Sequence, residues 1–119
     1  MIFKDKDHLQ KYHDLMERMK RNDPYHRSAA YLMALANLVP QDVFDFEKDC
    51  IIREGLQEGW QTSSSIKATR LMFNLWNCCT EDSSDSPNSS RYFAVDEIFY
   101  NYEYAPFFYE AIRIRYEWV

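Results

Sequence analysis

The sequence predicts an all-α fold, a compact bundle of four main helices plus a short one around a central buried helix at about residues 64–79. Three observations carry this. Apolar residues recur at helical spacing in four stretches. The chain of 119 residues has only two glycines and four prolines, too few for an all-β protein of many tight turns. Helix starts are marked by Asp5, Asp23-Pro24, the serines at 63–65 and Ala105-Pro106.

The central stretch is SSIKATRLMFNLWNCC. At helical pitch, Ile66, Ala68, Leu71, Met72, Phe73, Leu75, Trp76 and Cys79 fall on one arc of roughly 220°, wider than a surface helix shows. The polar remainder is a thin stripe of Lys67, Arg70, Asn74 and Asn77. A helix of that kind is packed on several sides.

The other elements follow in chain order. Asp5 caps a first helix whose apolar stripe is Leu9, Tyr12, Leu15, Met16 and Met19, with His8 at its edge as a hydrogen-bonded structural histidine. Asp23 and Pro24 start a second helix, running to about Leu38 and apolar nearly all round, which lies beside the central one. Pro40 stops it. Residues 43–52 form either a short hairpin turning at Glu47-Lys48-Asp49 or an irregular loop held by its aromatics. Glu54 to Glu58 make one helical turn closed by Gly59. The serine-rich residues 80–90 read as a mobile loop, and Ser90 caps a short helix through Val95, Ile98 and Phe99. The final helix carries Phe107, Phe108, Ala111, Ile112, Ile114 and Trp118, with Arg115 projecting into that face. A buried arginine requires a carboxylate or several carbonyls, and Asp45, Glu47, Asp96 and Glu97 are the candidate carboxylates.

Length allows one core, hence a single domain over residues 1–119. With a net charge of −5, no segment is a basic patch of the kind that carries nonspecific nucleic-acid binding. Three cysteines, Cys50, Cys78 and Cys79, form neither a disulfide framework nor a zinc motif, so no metal or cofactor is expected. The beginning lacks the apolar run of a signal peptide and no stretch is long enough to span a membrane. A cytoplasmic location follows as the expectation.

No nucleophile–base–orienter set can be assembled, so a catalytic function is not expected. Two binding readings remain. The first is a protein-interaction surface along Lys67, Arg70, Asn74 and Asn77, bordered by Phe73 and Trp76, with Tyr100, Tyr102, Tyr104, Tyr109 and Tyr116 as further sticky aromatics. The partner would be another protein, and self-association stays open. The second is a phosphate or carboxylate site at the helix start formed by Gln61, Thr62, Ser63, Ser64 and Ser65, with Lys67 and Arg70 as cations. The bland reading of those hydroxyls is capping.

Several stretches together resemble a known group of proteins. They are Glu58-Gly59-Trp60-Gln61-Thr62, then Thr69-Arg70-Leu71-x-Phe73-Asn74-Leu75-Trp76-Asn77, then Val95-Asp96-Glu97-Ile98-Phe99. Tyr104-Ala105-Pro106-Phe107-Phe108 with Ala111-Ile112-x-Ile114-Arg115-Tyr116 completes the set. This pattern resembles an uncharacterised family, a domain of unknown function, of small helical proteins from Gram-positive bacteria and their mobile elements. The likeness covers most of the chain and supplies no activity. It implies one compact domain in a bacterial or phage-like setting, where binders and inhibitors of host proteins occur.

Overall fold

The computed structural model describes residues 1–77, 93–100 and 102–117. The serine-rich loop, the Ser90 cap, Cys78, Cys79 and Trp118 lie outside the described residues. Within them the chain runs α1 (Lys6–Arg18), α2 (Pro24–Leu35), α3 (Pro40–Val43), β1 (Phe44–Asp45), β2 (Cys50–Ile51), a 3-10 turn (Arg53–Gln57), α4 (Ser63–Asn77), α5 (Val95–Phe99) and α6 (Ala105–Tyr116). The all-α bundle expected from the pattern is present, with a two-residue antiparallel hairpin as its sole described sheet.

Local chemistry sets the boundaries. Asp5 accepts from the His8 N–H and Asp23 from the His26 N–H, so both helices begin at aspartate caps. The second helix ends earlier than its apolar run suggests. Asn37 takes a left-handed φ of 53°, and Leu38 N–H closes back on the Met33 carbonyl at 3.1 Å. That is a Schellman ending, which Asn tolerates and which releases Leu38 into the core. Pro40 then starts α3 instead of merely stopping α2. The hairpin pairs Phe44 with Ile51 and Asp45 with Cys50. Its turn is made by the Asp45 carboxylate, which accepts from the Glu47 and Lys48 N–H groups at 3.0 and 2.9 Å.

The hub of the packing is α2, which touches α1, α4 and α6, while α4 touches α2, α5, α6 and the 3-10 turn. Centrality is therefore shared, and α2 is the more enclosed of the two. All of Ser28 to Leu35 is buried. Tyr31, Phe44, Phe73 and Phe108 are the largest wholly enclosed side chains, each worth about 1.5–3 kcal/mol of transfer free energy. On α1 the buried positions are His8, Tyr12 and Leu15, while Leu9 is exposed. A histidine can take the core position because both ring nitrogens are satisfied. The Lys4 N–H donates to Nδ1, and Nε2–H donates to the Tyr31 carbonyl at 3.0 Å. Burial lowers the pKa of His8, favouring that neutral ring.

Candidate functional site

At the start of α4, Thr62 and Ser65 cap each other. The Ser65 N–H donates to Thr62 Oγ1 at 3.0 Å and the Thr62 N–H donates to Ser65 Oγ at 2.8 Å, the reciprocal logic of a capping box. Ser65 also donates to Gln61 Oε1 at 2.6 Å. Gln61 Nε2 in turn donates to the Gly55 carbonyl and to Thr69 Oγ1, both at 3.1 Å. Gln61, Thr62 and Ser65 thus bind the 3-10 turn to α4, while Ser63 and Ser64 are exposed.

The polar stripe of α4 is not an open groove. Lys67, Arg70 and Asn74 are all half-buried, and only Asn77 is exposed. Lys67 Nζ donates to the Tyr100 carbonyl at 2.7 Å, and the Arg70 guanidinium lies 5.9 Å from the Phe93 ring centre. The segment carrying α5 lies against this stripe, with Ile98 buried beneath it. Phe73 and Trp76 do not form the exposed border expected beside it. Phe73 is wholly enclosed, and Trp76 turns toward the hairpin, 5.0 Å from Phe44 and 4.8 Å from His26 between ring centres.

Arg115 is half-buried, and it meets a main-chain carbonyl, one of the two partner types anticipated. Its Nε donates to the Leu75 carbonyl at 2.7 Å, and its guanidinium stacks 3.6 Å from the Tyr25 ring. Leu75 belongs to α4, so Arg115 ties α6 to α4 through a main-chain carbonyl while its guanidinium rests on a ring of α2.

Exposed large side chains stand instead on and beside α5 and on α6. Val95, Tyr100 and Tyr109 are 73%, 74% and 67% exposed. The Tyr109 ring sits 5.0 Å from Phe99, which lies one turn along α5 from Val95. Tyr116 is exposed at the far end of α6, whereas Tyr104 is half-buried and the Tyr102 hydroxyl is enclosed without a partner. Val95 shares the helical spacing of buried Ile98 and half-buried Phe99, so its pattern gave no sign that it is exposed.

Beside Tyr109 runs a groove of about 300 Å³ lined by Ile2, Pro106, Phe107, Tyr109, Glu110 and Arg113. Glu110, which sequence reasoning missed, is only 7% exposed. It accepts from Arg113 Nε and Nη2 at 2.6 and 3.0 Å and from the Ile2 N–H at 2.6 Å. The Arg113 bonds outweigh burial and hold the Glu110 carboxyl below its ordinary range. The Tyr31 hydroxyl donates to the Ile2 carbonyl at 2.5 Å, so both polar groups of the Ile2 backbone are held by side chains. The i,i+3 spacing of Glu110 and Arg113 was the available signal.

Among the described residues, no group of three or more His, Cys, Asp or Glu is arranged to hold a metal ion. Nor is any described helix long and apolar enough to cross a membrane. The chain belongs to a family of unknown function, DUF6075, whose pattern matches residues 1–118. No curated protein and no solved structure matches it.

Proposed function

With membership of that family as the premise, we propose that this chain is a small cytoplasmic protein-interaction module. It binds a protein of its host, in a bacterial or mobile-element setting, as a binder or inhibitor. The observation that carries the reading is the α5–α6 surface, where Val95, Tyr100 and Tyr109 stand at least two-thirds exposed on adjoining elements. Large aromatics left in water are the groups that dominate interface energetics when a partner covers them. The sequence reading placed the surface on Lys67, Arg70 and Asn74. The favoured face is one layer further out, on the segment those residues support. Lys67 holds the Tyr100 carbonyl and so fixes the base of the patch.

The second reading, an anion held by Gln61, Thr62, Ser63, Ser64 and Ser65 with Lys67 and Arg70, has weaker support. The Thr62 and Ser65 hydroxyls and the Gln61 amide already bond within the chain.

Affinity purification from host lysate tests the first reading, with tagged wild type beside Tyr100→Ala/Tyr109→Ala and a Ser63→Ala/Ser64→Ala control. The expected result is one stoichiometric protein retained by wild type and the serine variant and lost by the tyrosine variant. Retention of that protein by a folded tyrosine variant refutes the assigned surface.

A further inference from the structure

A second device lies at the start of α2 and in the hairpin turn, on residues that the proposed binding surface does not use. His26 is 3% exposed. Its Nδ1 lies 2.7 Å from Asp23 Oδ1 and its Nε2 lies 2.7 Å from Asp49 Oδ1. Both partners are acceptors when ionised, and a neutral imidazole has only one N–H to offer. A neutral ring would set a lone pair against one carboxylate oxygen at hydrogen-bond distance.

We propose that His26 is a proton-operated clamp: as an imidazolium between Asp23 and Asp49 it pins the hairpin turn to the start of α2, and loss of one ring proton to solvent releases that turn. Asp23 is the N-cap of α2, so one side of the clamp is anchored in the core helix. Asp49 is the last residue of the hairpin turn, held at φ 59° with its N–H on the Asp45 carbonyl at 2.7 Å. That side is the movable one. A left-handed aspartate in a four-residue turn carries strain that the bond to His26 offsets.

The charges facing the ring are few among the described residues. From α2's cap comes Asp23 and from the hairpin comes Asp49; α4 contributes the uncharged edge of Trp76 at 4.8 Å. Lys48 and Arg21 are the cations nearest in sequence to Asp49 and Asp23; of the others nearby, Arg27 is engaged with Asn22 and Glu117, Arg115 with the Leu75 carbonyl and Tyr25, and Lys20 with the Glu47 carbonyl. Release of Asp49 also loosens the packing of Phe44 on Trp76, because the same tryptophan touches both His26 and β1.

The test is nitrogen-detected NMR of the full chain, reading the His26 ring together with exchange of the Asp49 and Ile52 amides between about pH 5 and pH 9. The expected result is a ring carrying protons on both nitrogens while the hairpin is protected. As the ring loses a proton, amide exchange should accelerate about tenfold beyond its intrinsic pH dependence, the equivalent of one charge-assisted bond. In Asp49→Asn, which keeps an acceptor of the same shape, the ring titration should no longer change hairpin exchange. A His26 ring in a single neutral tautomer at the acid end would overturn the clamp. So would hairpin protection in wild type that does not follow the ring titration, a reading that needs no variant to fold.

Discussion

Gly55 offers the sharpest check on how the α4 start is positioned. The 3-10 turn is pressed so closely onto α3 that a β-carbon built at Gly55 would overlap the Asp42 carbonyl oxygen and come within 2.8 Å of Val43 Cγ1. Neither obstacle moves cheaply, because one is backbone and Val43 is wholly enclosed. Gly55→Ala would gain about 0.4–1 kcal/mol by stiffening the unfolded chain. Overpacking of this kind costs about 1–3 kcal/mol, and more where backbone must shift. The net expectation is a loss of about 1–2 kcal/mol, or roughly 4–8 °C in melting temperature for a chain of this size. The consequence reaches α4, since the Gly55 carbonyl accepts from Gln61, which in turn bonds Ser65 and Thr69. Urea unfolding with an unchanged slope is the assay. A variant as stable as wild type would refute the close approach of turn and helix.

Three further outcomes follow from the buried polar groups. Tyr102→Phe removes an enclosed hydroxyl that has no partner and should leave stability unchanged or raise it by up to about 1 kcal/mol in urea unfolding; a loss of that size would mean the hydroxyl is bonded. His8 is held below its ordinary value of 6.5 mainly by burial, so the unfolded chain binds its proton first as pH falls. Stability from His8 is complete above that value and is lost as pH drops toward the folded one; His8→Gln should lack this component in unfolding curves taken at several pH values. The Glu110 carboxyl is held below its ordinary 4.5, first by Arg113, so its contribution is present above that value and disappears as acid protonates it. Glu110→Gln should cost about 1–3 kcal/mol near neutrality and flatten the acid limb of the stability profile.

Much of the fold was legible because local signals agreed with the hydrophobic pattern. The Asp5 and Asp23 caps and Pro106 in the first turn of α6 all act within one turn of chain, where sequence is direct evidence. The end of α2 was hidden because Ala36 and Leu38 continue the apolar run; only Asn37, a residue that tolerates left-handed backbone, marked the break. His8 displaced Leu9 from the core through two long-range choices, the Lys4 N–H and the Tyr31 carbonyl, that no periodicity encodes. Arg115 shows the same limit: the pattern required a carboxylate or carbonyls without saying which, and the Leu75 carbonyl and the Tyr25 ring supply the partners. The stripe of Lys67, Arg70 and Asn74 was correctly separated from the apolar arc. What pattern could not tell was that α5, some 20 residues further on, would lie against it.

The most direct test of the interaction surface is a calorimetric titration of the captured partner, once purified, against wild type and Tyr100→Ala/Tyr109→Ala. Side chains at the centre of an interface typically contribute 2 kcal/mol or more each, so the account predicts binding at least about 100-fold weaker in the variant. An affinity within about threefold of wild type, with the variant's circular dichroism unchanged, would place the interface elsewhere on the molecule and contradict the account.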